Sequence, residues 1–416
     1  MMQQCSISKK LPLIDKVIIW LLILSPILQI YGIGPFNLCE FLTWGAIGIG
    51  MLKHSLNFKM PTLLLCYFIY LLSATFLSCF LNLSELIGRS FGVVHSLLVF
   101  ALFFSIKDIG YLYKVYKYFS LIAIALFFAQ EISYATTGVR ISGLIPFLPL
   151  NSTFSDFENT YSFHDFLRLV KRSSSFFSEP AHFAQFLLPF LPLSLYFERG
   201  RKKIIYPSLA VISLSILQSG NGIIGLCVLL TIYIYYYFRY FSVGYKIVLA
   251  ITGAVFLEFG VRSFVSSEIG QQYLGRSSEL LSTTGDAEDA SGFVRIYLGY
   301  YVYNEYSAFE KIIGINNFTE IQSKVSQSPY GYLLNGVLYF NTIQNYLIKA
   351  GLIGLLFFLL LLREIYRGNN ICGKSIIVTF FVLSFISSQY LTPVMILYLL
   401  FALRIKSINN KDNKIT

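Results

Sequence analysis

Residues 172–189 read RSSSFFSEPAHFAQFLLP, and within them the chain changes from a polar loop to an apolar helix opening at Pro180. Proline suits the first position of a helix, because the N–H it lacks is one the helix leaves unpaired there. That puts Glu179 at the N-cap, against the positive end of the dipole. His182 and Gln185 follow Glu179 at helical spacing, so the three share a face. Two readings of Glu179 stand side by side. It is either a cap paired with Arg172, or a carboxylate placed for chemistry where a loop meets a membrane. Further on, Pro189 and Pro192 predict a kink, which membrane helices accept when neighbours take up the freed carbonyls.

The surroundings make the membrane reading firm. Of 416 residues, 56% are hydrophobic and 13% charged, and the mean hydropathy of +0.65 lies far outside the range of soluble domains. Apolar runs at 17–33, 36–52, 61–82, 86–106, 113–134, 180–197, 204–219, 221–238, 246–261, 342–362, 375–388 and 391–403 predict an all-α, polytopic integral membrane protein of about 12 transmembrane helices. Lysine and arginine of short loops resist translocation. They recur at Lys9, Lys10 and Lys16, at Lys53 and Lys59, at Lys107, Lys114 and Lys117, and from Arg199 to Lys203. They return at Arg239 and Lys246, at Arg363, Arg367 and Lys374, and from Arg404 onward. The alternation predicts both termini inside (N-in/C-in), with two large external loops. The organisation is then 1–134 (helices one to five), 135–179 (first large loop), 180–261 (helices six to nine), 262–341 (second large loop) and 342–416 (the last helices and a cytoplasmic tail). The net charge of +11 follows from this basic bias and gives no reason to expect nucleic acid. The first apolar run lacks a small-residue cleavage site and reads as a retained helix. The cysteines fall in helices or on the cytoplasmic side, so neither a disulfide framework nor a cysteine metal site is expected.

Ionisable groups cluster at one depth. Glu40, Glu85, Arg89 and Glu131 lie near the predicted external helix ends, which suggests a cavity opening outward. Glu85 and Arg89, at i and i+4, also read as a local salt bridge. His95 lies deeper and alone, without an assigned role. The first large loop holds ISGLIPFLPL, too short to span, and then a polar segment with His164 beside Asp165. The residues SGNG at 219–222 read as a tight turn. In the second loop the run with Asp286 and Asp289 reads as solvated rather than metal-binding. It is followed by FVRIYLGYYVYNEY, where Arg295 precedes Tyr297, Tyr300, Tyr301, Tyr303 and Tyr306. An interfacial aromatic belt accounts for some of these rings. A guanidinium among rings also suits a phosphorylated, sugar-bearing ligand.

Three stretches together resemble the Wzy-type O-antigen and capsular polysaccharide polymerases, a family grouped with the O-antigen ligases. They are RSSSFFSEPAHFAQFLLP, GFVRIYLGYYVYNEYSAFEKIIGIN with its turn at Gly314, and FNTIQNYLIKAGLIGLLFF. Gln344 stands before Asn345 where many relatives, ligases in particular, carry histidine, and glutamine cannot relay a proton. The resemblance implies a glycosyltransferase of the bacterial cytoplasmic (inner) membrane, with its active site facing outward. It would transfer a growing glycan from undecaprenyl diphosphate onto a lipid-linked repeat unit during O-antigen, lipopolysaccharide or capsule synthesis. No metal or other cofactor is implied; a flippase and a chain-length regulator are the implied protein partners. Diphosphate leaves, so cations and a base are required. Arg172, Arg295 and Glu179 are the catalytic candidates, and His182, Arg89, Tyr297, Tyr303 and Asn345 the substrate contacts. A ligase-like transferase and a lipid-linked oligosaccharide flippase are the alternatives.

Overall fold

The computed structural model describes residues 11–33, 36–53, 60–80, 82–106, 108–145, 147–150, 172–217, 219–240, 242, 244, 293–334 and 339–412. The expected span 246–261, the polar segment with His164 and Asp165, and the run with Asp286 and Asp289 lie outside the described residues.

The protein is mostly helical, and five of its described helices are long and apolar enough to cross a membrane: Thr62–Cys79 (α3), Leu83–Phe103 within α4 (Leu83–Ser105), Ile109–Thr137 (α5), Gly220–Phe238 (α9) and Thr342–Tyr366 (α13). Leu38–Leu52 (α2), Ile371–Leu383 (α14) and the start of α15 (Pro393–Asp412) are shorter and apolar. α1 (Leu13–Leu24) is shorter than the expected span 17–33. The chain turns after Leu24, where Pro26 cannot continue the ladder, and then pairs Gly32–Ile33 (β1) with Phe36–Asn37 (β2) in an antiparallel hairpin. That hairpin anchors the first loop: Tyr31 bridges to Leu150, and its hydroxyl accepts the Ile145 N–H at 2.7 Å. Side chains close the ends of α4 and α5. Asn82 accepts from the Glu85 N–H and Asp108 from the Tyr111 N–H.

The expected sixth span, 180–197, is two helices, α6 (Pro180–Leu187) and α7 (Phe190–Phe197). Pro189 has no N–H for the carbonyl four residues back, that of Gln185, and the Tyr398 hydroxyl supplies the missing donor at 2.8 Å. Tyr116 donates to the Phe186 carbonyl, and the Cys372 thiol to that of Pro192. α8 (Lys202–Ile216) leads to α9, which begins at Gly220, so SGNG is a helix start and not only a turn. Its small residues serve close packing. A Cβ on Gly222 would lie 3.3 Å from that of Ala184, and one on Gly225 would lie 2.4 Å from a Leu188 methyl.

The described part of the second large loop is a folded cap. A π turn (Val294–Leu298) runs into α10 (Gly299–Asn304), followed by α11 (Ala308–Ile313) and α12 (Phe318–Gln327), around a core that includes Leu298, Val302, Ile321 and Ile348. Glu85 holds this cap, accepting from the Phe318 N–H (2.9 Å) and the Thr319 hydroxyl (3.3 Å). Its carboxylate thus goes to α12 and not to Arg89. The cap docks where α13 breaks. Gly351 has φ 63° and ψ −169°, Gly314 has φ 82°, and the Ile315 N–H donates to the Ile348 carbonyl at 2.7 Å. The Tyr70 hydroxyl donates to Ala350 (2.6 Å) and Ile313 (3.2 Å), tying both sides of the junction to α3. Two stretches that carry the resemblance, the Gly314 turn and the Gly-rich helix, therefore meet.

Candidate functional site

The loop before α6 is fixed from below. Gln130 of α5 holds both backbone groups of Ser175, donating to its carbonyl at 3.0 Å and accepting its N–H at 2.8 Å. The Ser174 hydroxyl turns back onto the Phe177 carbonyl at 2.7 Å, and the Phe177 ring packs on Phe183 and Phe186. With both ends held, Glu179 enters α6 in an extended conformation (φ −140°, ψ 151°), followed by Pro180 at the first turn. Its side chain makes no capping hydrogen bond, so the cap half of the first reading of Glu179 fails. One turn on, His182 Nδ1 is hydrogen-bonded with the buried Ser178 hydroxyl at 2.6 Å.

Arg295 approaches from the second loop on the π turn. A π turn leaves carbonyls without their usual helical donors, and two amides at the start of α13 take them up. Asn341 Nδ2 donates to the Arg295 carbonyl and Gln344 Nε2 to that of Ile296, both at 2.8 Å. The same two residues form a reciprocal capping box at the head of α13. Gln344 is wholly buried against Gly299, where a Cβ would come within 2.6 Å of its amide carbon. Gln344 is thus a clamp on the turn that presents Arg295.

Arg295 lies beside Tyr339, and the charge of Glu179 acts on the same phenol. The guanidinium lies 5.2 Å from the centre of the Tyr339 ring. Burial pushes the Tyr339 hydroxyl above its ordinary range; the Arg295 charge opposes this and the Glu179 charge adds to it. The Arg295 guanidinium thus lies beside a protonated phenol on which the Glu179 charge also acts. Such a set can orient a hydroxyl, take its proton and stabilise developing negative charge.

The other expected residues are placed differently. Arg172 lines a separate small cavity with Arg140 and Ser173–Ser175. Asn345 is buried and binds inward, to the Phe340 carbonyl (2.7 Å) and the Ser388 hydroxyl (3.3 Å). The Tyr303 hydroxyl donates to the Lys311 carbonyl at 2.9 Å, which uses it within the cap. Tyr297 is half-buried on the π turn with its ring against Phe293. Arg89 lies on the α12 side, 5.9 Å from the Phe318 ring. The larger cavity, about 190 Å³, lies among α1, α2, α4 and the start of α15, lined by Glu40, His95 and Thr392 among others. None of the candidate residues lines it. His95 there is hydrogen-bonded with the Thr43 hydroxyl at 2.7 Å and stacked on Trp44. No family model, curated protein or solved structure matches the chain.

Proposed function

We propose that this protein is a polysaccharide polymerase of the bacterial cytoplasmic membrane, of the O-antigen or capsule type, working on lipid-linked repeat units at the outer face. The observation that carries the reading is that Arg295 packs on Tyr339 while the charge of Glu179, from a loop remote in sequence, acts on the same phenol. In the reaction the acceptor hydroxyl of a lipid-linked repeat unit attacks the sugar carbon that bears the polyprenyl diphosphate of the growing chain. A C–O bond forms, the bond to diphosphate breaks, and the diphosphate leaves with the electron pair. Glu179 orients the hydroxyl and accepts its proton, while Arg295 offsets the charge that grows on the leaving group. Tyr339 stays protonated and donates a hydrogen bond. Deleting the gene is expected to leave surface glycans one repeat unit long. Glycans unchanged in length would remove the reading, and glycans absent altogether would favour an earlier step such as flipping.

The reading requires about twelve spans with both termini inside, because only then do the basic short loops face the cytoplasm. In intact cells a membrane-impermeant thiol reagent is expected to label a cysteine introduced at Ser282 and to miss one introduced in the 199–203 loop. The reverse pattern would place the candidate site on the wrong side for the reaction.

A further inference from the structure

The cavity that Arg172 lines lies at the C-terminal end of α5 and is small, about 20 Å³. Three of its carbonyls have donors: Gln130 donates to those of Ser175 and Ile141, and the Ser174 hydroxyl to that of Phe177. What remains is rich in donors. Arg140 Nε and the hydroxyls of Ser173 and Ser175 are buried without a hydrogen-bond partner, and the two serines are only 3% and 2% exposed. Arg140 stacks 3.6 Å from the centre of the Tyr134 ring, which occupies the face of the guanidinium and leaves its N–H edges for a ligand. Ser175 holds a φ of 57°, unusual for a residue with a side chain. Gly143 backs so closely on the Ser175 carbonyl that a Cβ would overlap it, so no other side chain can enter from that side. No carboxylate is among the described lining residues.

Buried donors without partners are costly, and several at one cavity lined by two arginines share one remedy, an oxygen carrying negative charge. We infer that Arg140 and Arg172, with Ser173 and Ser175, form a binding site for a phosphate-type anion. The space admits one oxygen of the ligand, with the rest of the anion at the mouth against the two guanidinium groups. The inference deepens the proposed function and rests on it for one point, that the anion is the diphosphate of a lipid-linked substrate.

The test is binding to the purified full-length protein in lipid nanodiscs, followed by calorimetry with farnesyl diphosphate, inorganic diphosphate and farnesol. Farnesyl diphosphate is expected to bind and farnesol not to. Arg140→Ala is expected to weaken binding at least about tenfold, and Ser173→Ala, which removes only a hydroxyl, by a smaller factor. Preference for the farnesyl form assigns the site to a lipid headgroup; equal binding of inorganic diphosphate assigns it to a free anion and keeps the anion site. Wild-type affinity in both variants, or no binding of either diphosphate, overturns the inference and leaves a cavity for ordered water. The outcome is separable from that of the proposed function. Unchanged glycans in the deletion strain would end the polymerase reading with the binding result intact, whereas single-repeat glycans with normal binding by both variants would end only the anion site.

Discussion

Glu179→Asn is expected to reduce polymerisation by a factor on the order of 10² to 10⁴ while leaving the protein abundant in the membrane. The structure sharpens this expectation. Glu179 stands at the cap position of α6 without making the capping bond, so an amide there forfeits no cap, and Asn is itself a favoured N-cap residue. What the amide loses is the charge that acts on Tyr339 and the capacity to accept a proton. Glu179→Asp keeps the carboxylate one methylene short and should retain part of the activity. The measurement is the glycan ladder of a strain lacking the native protein, with membrane levels read by immunoblot. A normal ladder from a normally abundant Asn variant would show that the carboxylate has no part in transfer.

The other large effect is on folding. Gly351→Ala is expected to destabilise the protein by about 3 kcal/mol or more, since φ 63° with ψ −169° is a region that only glycine populates and a Cβ would lie 2.3 Å from the Ile312 carbonyl oxygen. Backbone, not a yielding side chain, is what it would strike, and relief means lifting the cap from α13. Gly88→Ala is the control, since nothing lies within 4 Å of the added carbon. In detergent, Gly351→Ala should unfold at a clearly lower temperature than Gly88→Ala. Matching transitions would mean that the cap does not need the break in α13.

Most of the helices were legible because hydropathy is local: a long apolar run declares itself without knowledge of its neighbours. The break between α6 and α7 was legible as a kink, because proline acts within its own turn. Its repair was not, because the Tyr398 hydroxyl that serves Gln185 comes from more than 200 positions away. The helical start of α9 packs its glycines against Ala184 and Leu188, again partners outside the window. Among site residues, Glu179 and Arg295 stood out as charges at loop and helix boundaries. Tyr339 did not, being one of 30 tyrosines in a chain where aromatic rings are ordinary. Arg140 was also missed. It follows the left-handed Gly138 that ends α5, and reads as a charge on an unremarkable loop until the fold carries Ser173 and Ser175 to it. Tyr303 shows the converse: a ring that stood out in a tyrosine-rich run spends its hydroxyl on the Lys311 carbonyl within the cap.

That irregular turn has a consequence for how the chain tolerates changes in length. A π turn is, in effect, an α-helix with one residue inserted, and each residue of an α-helix advances the face by about 100°. Losing Ile296 or Tyr297 would let the segment relax into ordinary helix, rotating Arg295 relative to α10 while leaving the composition of the turn nearly unchanged. Arg295 would then leave the bearing on which it meets Tyr339, and the amides of Asn341 and Gln344 would have no orphan carbonyls to hold. The aim of the arginine is therefore a matter of phase, set by the count of residues rather than their identity.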